Sequence, residues 1–319
     1  MIKDFKKLET ALTERARELG RDRKKVFLAV SGGVDSSLVA AVLCRAFGSE
    51  NVVGLYRDIK NNPKHKNDVA LLQSVLGFKL IMIDGNSLYD DFLAQTKKEF
   101  TAAGLPWAEE GSAEADASGF TSAYASCKSR FTTPMAGFIS KAIDNGKGLI
   151  FGTGNAEEDG LLRYFDKFGD GAVDNNIING LTKSEVRQMA TYFGVPQQIV
   201  TKLPSADLEG NGDAHNDESQ LTSWAKKMGY NLELSYGSAD GSAEGNIAWA
   251  LKENEKNGVV NGKNGNVGEQ GLANEPFHYT EKQIPLILFL REIERSTKHK
   301  TFAIPGLERS ILHDQGLVD

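Results

Sequence analysis

The chain has 319 residues, with 37 Lys or Arg against 43 Asp or Glu, so its formal net charge is −6. Hydrophobic residues make up 40% and charged residues 25%, which is ordinary for a globular protein and excludes a wholly disordered chain. Sequence-independent binding to nucleic acid requires a basic surface, so the acidic balance argues against a nucleic-acid partner.

Cysteine content and apolar runs indicate the compartment. The two cysteines, Cys44 and Cys127, cannot build a disulfide framework or a zinc cage, and we expect both to be inert packing residues. No apolar run reaches the ~18 residues of a membrane span, and the charged N-terminus lacks a signal core. We therefore expect a cytoplasmic protein without a membrane partner.

The elements predicted in chain order indicate a layered α/β fold. Residues 2–19 have apolar side chains at spacings of three and four, which predicts an amphipathic helix. Short apolar runs alternating with helical patterns then indicate a parallel sheet covered on both faces. We predict a single α/β domain over 1–319, with a doubly wound, mostly parallel sheet. The runs predicted as strands are Val26–Val30, Val52–Tyr56, Leu80–Ile83 and Leu149–Phe151.

A segment rich in Gly and Asn interrupts the last third of the chain. Eight glycines fall between Gly237 and Gly271. Such a composition cannot bury much apolar surface, so residues 237–275 are predicted to be a flexible insertion, with one helical turn at Ile247–Leu251. A final helical pattern covers Glu281–Thr297.

The clearest motif is the string Ser-Gly-Gly-Val-Asp-Ser-Ser at 31–37, between the first predicted strand and an apolar helix. Glycines let the backbone turn and present N–H groups to an anion, and the following helix adds a partial positive charge. Asp35 would repel phosphate, so we expect a divalent cation to mediate its contact. A Walker motif and a dinucleotide fingerprint are both absent here.

This string resembles the pyrophosphate loop of the ATP pyrophosphatase superfamily, which includes NAD, GMP and asparagine synthetases and tRNA-modifying enzymes. Further motifs distinguish among these enzymes, and the order of these motifs along the chain resembles that in ammonia-dependent NAD synthetase. They are Gly152–Asp159, Tyr164–Asp174, Leu181–Lys183, Lys202–Leu208, Asp217-Glu218 and His299-Lys300. Because we find no glutaminase domain in the sequence, we expect ammonia to be the nitrogen donor.

The resemblance implies a reaction and a set of roles. ATP would adenylate the carboxylate of deamido-NAD, and ammonia would displace AMP to form NAD. Asp170 would orient or deprotonate ammonium, and Lys183 would act on the phosphates. The implied ATP-binding residues are Ala29, Val30, Ser31, Gly32, Gly33, Val34, Asp35, Ser36, Thr153, Lys183 and Ser205. The implied deamido-NAD residues are Arg130, Lys167, Asp174, His299 and Lys300.

The implied magnesium ligands are Asp35 and a second carboxylate. The family's motif spacing, counted forward from Gly152, places this carboxylate at Glu158, whereas the same spacing counted back from Lys167 places it at Asp159. We prefer Glu158 because it keeps the residue type of the family. The residues before Arg130 also differ from the family pattern. Taken singly, several of these residues have ordinary explanations: Lys167 and Lys183 as solvated lysines, Asp170 and Ser205 as turn residues, and His299 as a surface histidine.

Two alternatives to the amide ligase remain open. A related ATP pyrophosphatase could act on a different carboxylate or on tRNA, although the acidic charge and the scattered cysteines weigh against tRNA. A non-catalytic nucleotide-binding regulator would not need the lysines and Asp35. The resemblance further implies a homodimer with deamido-NAD bound near its interface.

Overall fold

The computed structural model describes residues 1–205, 216–237, 246–257, 279–297, 300 and 307–319. Its centre is a five-stranded sheet in the order β3-β2-β1-β4-β5, in which every neighbouring pair is parallel. The strands are β1 (Val26–Ala29), β2 (Val52–Asp58), β3 (Lys79–Asp84), β4 (Ile150–Gly152) and β5 (Asn175–Asn176).

Helices connect these strands and extend the fold beyond the sheet. A π-helix covers Ala156–Leu162, and a short 3₁₀ helix covers Ser49–Asn51. The α-helices of the described residues are α1 (Phe5–Gly20), α2 (Val34–Phe47), α3 (Pro63–Leu76), α4 (Asn86–Ala102), α5 (Ala113–Ser118), α6 (Phe120–Ile143), α7 (Lys183–Tyr192), α8 (Gln197–Val200), α9 (Asp217–Lys227), α10 (Ile247–Asn257), α11 (Ile284–Ser296) and α12 (Arg309–Asp314).

Both faces of the sheet are covered, because alternate residues of each strand point to opposite sides. Val26 and Leu28 belong to the main core, which also contains buried side chains of α1, α2 and α7. Phe27 lies between them in β1 and packs on the other face, against Ala136 and Ile139 of α6. The predicted doubly wound α/β fold is therefore confirmed.

The strand order places a ligand crevice between β1 and β4. The chain runs from β1 outward to β2 and β3, then returns to add β4 and β5 on the other side of β1. Such a reversal is the switch point where open α/β sheets bind ligands, beyond the carboxyl ends of the strands. The two segments that leave these ends are Val30–Gly33 and Thr153–Asn155.

A second core lies beyond the sheet. Buried side chains of the π-helix, α9, α10 and α11 form it, among them Leu161, Leu221, Leu251 and Phe289. The sequence did not predict this core, because its members come from separated stretches of the chain. Among the helices that the structure describes, none combines the length and the apolar character needed to cross a bilayer.

Two local predictions differ from the structure. The strand β5 was not predicted, because Asn175 and Asn176 carry no apolar signal. Within the predicted insertion 237–275, the single helical turn becomes the 11-residue helix α10. Ile247 and Leu251, four positions apart, bury one face of this helix in the second core. The flexible character predicted for the rest of the insertion concerns 238–245 and 258–275, which lie outside the described residues.

Candidate active site

The predicted phosphate loop lies at the switch point. Ala29 ends β1 and Val30 is buried, with its backbone N–H donating to Leu55 O at 2.8 Å. Gly32 has φ +83°, and a Cβ there would lie 2.8 Å from His65 O, so this position requires glycine. Val34 begins α2, and Asp35 stands in its first turn.

Serine hydroxyls brace this loop from within. Ser36 Oγ accepts a hydrogen bond from Ser31 N at 3.2 Å and lies 3.1 Å from Ser31 Oγ. Ser31 Oγ also accepts from Gly33 N at 3.2 Å. Ser37 Oγ donates to Gly33 O at 2.8 Å, which ties the loop to the first turn of α2. These hydrogen bonds stabilise the conformation of the loop.

Asn155 joins the two segments of the crevice. Its Oδ1 accepts hydrogen bonds from Glu157 N and Glu158 N, both at 3.0 Å, and so caps the π-helix. Its Nδ2 donates to Asp35 Oδ1 at 3.0 Å. One fully buried amide thereby fixes both the start of the π-helix and the orientation of Asp35. Asn155 was not among the predicted site residues, although an Asn before three acidic residues is an N-cap signal.

Lys183 brings the two segments into one cluster. Its Nζ lies 2.6 Å from Asp35 Oδ2 and 2.7 Å from Glu158 Oε1. The side chain is almost fully buried at the first residue of α7. A solvated surface lysine would not show this geometry, so the ordinary explanation for Lys183 does not apply.

Negative charge dominates around Lys183. Burial alone lowers the pKa of Lys183, but the charges of Asp35, Glu158 and Asp217 outweigh it and hold the pKa above its usual value. Burial raises the pKa of Glu158 despite its contact with Lys183, and repulsion from Asp35 adds to this rise. The cluster thus carries more carboxylates than its lysine neutralises, which suits a site that receives a further cation.

Asp159 faces a different part of the site. Its Oδ2 accepts from Asn176 Nδ2 at 3.4 Å, and it packs so closely on Gly154 that a Cβ there would lie 1.7 Å from its carboxylate. Burial and the charge of Asp170 raise its pKa. Of the two carboxylates that sequence counting left open, Glu158 contacts the same Lys183 ammonium as Asp35, whereas Asp159 contacts Asn176.

Two further residues of the cluster were not predicted. Glu157 is fully buried, its Oε2 accepts a hydrogen bond from Lys183 N at 2.5 Å, and burial raises its pKa to about 8. The ring of Tyr236 lies over Lys183, with Nζ 5.4 Å from the ring centroid. No sequence signal separates Tyr236 from an ordinary core tyrosine, because the fold alone brings it to Lys183.

Asp170 sits in a loop fastened to α6. Its Oδ1 accepts from Ser129 Oγ at 2.8 Å and from Asp166 N at 2.9 Å. Although Asp170 is exposed as a residue, the protein atoms around its carboxylate desolvate it, and this raises its pKa despite these hydrogen bonds. Asp166 in turn accepts from Ser126 Oγ and, at 2.8 Å, from Arg130 Nε. Arg130 is thus exposed on α6 beside the loop that carries Asp170.

Lys300 and Lys167 lie at the same loop. Lys300 Nζ donates to Arg163 O at 3.0 Å and to Phe165 O at 2.6 Å. Burial lowers its pKa, while the charges of Asp170, Asp166 and Asp159 oppose this. Lys167 Nζ lies 5.4 Å from the centroid of the Phe168 ring. Asp170, Arg130, Lys167 and Lys300 thus lie on or beside one loop, and the charges of Asp170 and of Glu158 both act on Asp159.

The remaining predicted residues are Thr153, Ser205, Asp174 and His299. Thr153 is half-buried directly after β4, and Ser205 is half-buried after Pro204, whose carbonyl accepts from Asp217 N at 2.9 Å. Asp174 is exposed at the opposite, amino end of β5, where its carboxylate accepts from Ile150 N at 2.8 Å. His299 falls outside the described residues.

The donor set at Lys183 fits magnesium in chemical type. Carboxylate oxygens of Asp35 and Glu158 already converge on one cation, and Mg²⁺ in nucleotide sites commonly uses one or two carboxylates together with substrate phosphates. In the described ranges, no group of three or more His, Cys, Asp or Glu side chains is arranged to hold a metal. Such a magnesium ion would take its remaining ligands from substrate phosphates and water.

The fold and the charged cluster at its switch point define an α/β protein with a candidate nucleotide-binding site. The family model described as NAD synthase matches residues 5–236. The chain is 33% identical over 186 residues to the NH(3)-dependent NAD(+) synthetase of Methanococcoides burtonii, an alignment that spans 58% of this chain and 63% of that relative. It is 31% identical over 234 residues to the synthetase of that name from Carboxydothermus hydrogenoformans, which spans 73% and 86%.

Solved structures share the architecture. The NMN synthetase of Francisella tularensis superposes with a TM-score of 0.63 at 19% identity, over 94% of this chain and 98% of that one. At this identity the likeness shows the fold alone.

The chain belongs to the NAD synthase family. This membership confirms the resemblance drawn from the sequence, and with it the predicted function as a ligase that forms a carbon–nitrogen bond by ATP-dependent amidation of deamido-NAD.

Proposed function

We propose that the cluster around Lys183 binds ATP and that the loop around Asp170 receives deamido-NAD and ammonia. The observation that carries this proposal is the shared contact of Lys183 with Asp35 and Glu158 at the switch point. This arrangement joins the phosphate loop to the π-helix and to α7. ATP is the co-substrate that such a loop, a lysine and two carboxylates are suited to hold.

In the first half-reaction, the nicotinate carboxylate attacks the α-phosphorus of ATP and pyrophosphate leaves. Lys183 stabilises the negative charge that grows on the leaving group, since a donor fixed in a water-poor site needs no reorganisation. Asp35 and Glu158 would hold Mg²⁺, which when bound neutralises phosphate charge and polarises phosphoryl oxygens. Asn155 keeps Asp35 oriented through its hydrogen bond of 3.0 Å.

In the second half-reaction, ammonia attacks the acyl carbon and AMP leaves with one carboxylate oxygen. Ammonium must lose a proton before it can attack. We assign this role to Asp170, because desolvation of its carboxylate raises its pKa and thereby makes it a better base. The backbone N–H of Asp166 and the hydroxyl of Ser129 fix its orientation.

The test uses the purified chain with ATP, Mg²⁺, ammonium and one acid at a time. With deamido-NAD, we expect equal amounts of AMP and NAD. The name of the Francisella relative suggests a second acid, the mononucleotide that would give NMN, as the comparison arm. If the mononucleotide is turned over faster than deamido-NAD, the assignment of deamido-NAD as the substrate is wrong. If no AMP forms with either acid, the amidation is wrong.

A homodimer is proposed on the exposed face of α6. Phe138 is 75% exposed and Phe168 is 60% exposed, both unusual for large apolar side chains. Arg130, Pro134 and Phe138 recur at intervals of four and so share one face of the helix. A second copy of the chain would cover this apolar surface next to Arg130. Sedimentation should give a dimer for the native chain and a monomer for Phe138→Asp; a native monomer would contradict the proposal.

A cytoplasmic location is proposed as well. Cys44 and Cys127 are both free and half-buried, which suits a reducing compartment. Cell fractionation that placed the protein in an oxidising compartment would contradict this location.

A further inference from the structure

Tyr236 belongs to the second core yet faces the ATP cluster. Its side chain is 2% exposed and packs among the side chains of the π-helix, α9 and α10. Glu218, the second residue of α9, accepts a hydrogen bond from Tyr236 N at 2.9 Å. Ser235 and Asn246 form a backbone bridge beside it. The position of the ring is therefore fixed by contacts on both sides.

The ring covers the ammonium that holds the cluster together. Lys183 Nζ lies 5.4 Å from the ring centroid, within the range in which an aromatic face attracts a cation. One side of the ammonium thus faces the ring, while other sides face Asp35 and Glu158. A molecule that reached Lys183 would also pass close to Tyr236.

The hydroxyl of Tyr236 has no hydrogen-bond partner among the described residues. A buried tyrosine hydroxyl usually has one, so this hydroxyl is available to donate to a group that binds beside Lys183. Burial raises the pKa of Tyr236 well above its usual value, and the charges of Glu158 and Asp217 raise it further. The phenol therefore stays protonated and can donate a hydrogen bond.

We propose that Tyr236 is a further substrate-binding residue, whose hydroxyl donates a hydrogen bond to an oxygen of the ATP polyphosphate held by Lys183. Phosphate oxygens are acceptors only, so they match a lone buried donor beside an ammonium. The ring leaves less room for water around that ammonium, and the hydroxyl adds a directional contact. This inference rests on the proposed binding of ATP at Lys183.

The experiment compares Tyr236→Phe with a matched control, Tyr230→Phe. Tyr230 packs against the same second core, but its hydroxyl donates to Glu292 at 2.9 Å and not to the site. Two quantities are measured for each variant: the rise in Tm on adding MgATP, and kcat/KM for ATP. The Tm shift reports binding of MgATP without any turnover.

Tyr236→Phe should keep or raise the Tm of the free protein, because it removes an unpartnered buried hydroxyl. It should shrink the MgATP-induced Tm shift and lower kcat/KM for ATP by about 10- to 100-fold, as expected for a lost hydrogen bond to a charged acceptor. Tyr230→Phe should show the opposite pattern, with a lower Tm and kinetics of the native chain.

Unchanged MgATP binding and kinetics in Tyr236→Phe would overturn the inference, and so would a fall in Tm matching that of Tyr230→Phe. The proposed ATP site fails separately. If Lys183→Ala keeps the native MgATP-induced Tm shift, ATP is not bound at Lys183. If Lys183→Ala loses the shift while Tyr236→Phe keeps it, only the role of Tyr236 is wrong.

Discussion

Lys183 Nζ lies 2.6 Å from Asp35 Oδ2, although 148 positions separate the two residues in the chain. This contact joins the helix after β1 to the helix after β5, across the switch point of the sheet. Because Lys183 also contacts Glu158, its ammonium links the start of α2, the π-helix and α7. These are the segments that we propose bind ATP around Lys183.

Replacing Lys183 with alanine should affect both rate and stability. Losing a donor to a developing charge typically lowers the rate by about 10²–10³, so kcat/KM for ATP should fall by this factor. The variant also leaves Asp35 and Glu158 without their counter-charge, and breaking a buried ion pair commonly costs about 3–5 kcal/mol. We expect a lower Tm that added Mg²⁺ partly restores.

Lys226→Ala is the matched control for that prediction. Lys226 Nζ lies 2.5 Å from Glu233 Oε1 in an exposed pair, and such pairs contribute about 0–1 kcal/mol. Its removal should leave kcat/KM unchanged. Near-native kinetics in Lys183→Ala would contradict the ATP-binding role of Lys183.

The second metal carboxylate can be tested by comparing Glu158→Gln with Asp159→Asn. Only Glu158 shares the Lys183 ammonium with Asp35, so Glu158→Gln should raise the Mg²⁺ concentration needed for half-maximal activity. Asp159 contacts Asn176, and its replacement should leave that concentration near the native value. The reverse result, with Asp159→Asn alone shifting the Mg²⁺ requirement, would exchange the two assignments.

Two variants of Asn155 should separate capping from positioning. Asn155→Ala loses the cap of the π-helix and the contact with Asp35, so stability should fall by about 1 kcal/mol along with the rate. Asn155→Asp keeps the acceptor for Glu157 N and Glu158 N but places a negative charge against Asp35. It should retain more stability than the alanine variant, measured by urea unfolding, and still lose activity. Native activity in Asn155→Asp would show that Asp35 needs no positioning by this residue.

The parts of the site that lie in continuous motifs can be predicted from the sequence. The phosphate loop follows β1 as predicted, and the motif around Lys183 led to the residue that the fold places beside Asp35. Tyr236 and Glu157 could not be found in this way, because their proximity to Lys183 depends on the packing of distant segments. Strand β5 was missed for a local reason, since two asparagines carry no apolar pattern.

Asp166 should make folding stability depend on acid pH. Burial opposes its ionisation, but hydrogen bonds from Ser126 and Arg130 outweigh burial and hold its pKa below the usual value. A carboxyl with a lowered pKa in the folded state stabilises the protein above the pKa of the unfolded chain, and this contribution is lost as the pH falls through the folded pKa. Asp166→Asn should therefore lower the Tm at neutral pH and flatten its dependence on acid pH. If the native and variant curves run parallel, Asp166 does not anchor the Asp170 loop by its charge.

Transfer of ¹⁸O shows whether the carboxylate of deamido-NAD is adenylated before ammonia attacks. Deamido-NAD labelled with ¹⁸O in its nicotinate carboxylate is incubated with the chain, ATP, Mg²⁺ and ammonium, and the AMP is analysed by mass spectrometry. Because AMP leaves with one carboxylate oxygen, we expect one ¹⁸O atom in the phosphate of each AMP formed. Unlabelled AMP, or ADP and phosphate in its place, would contradict this expectation.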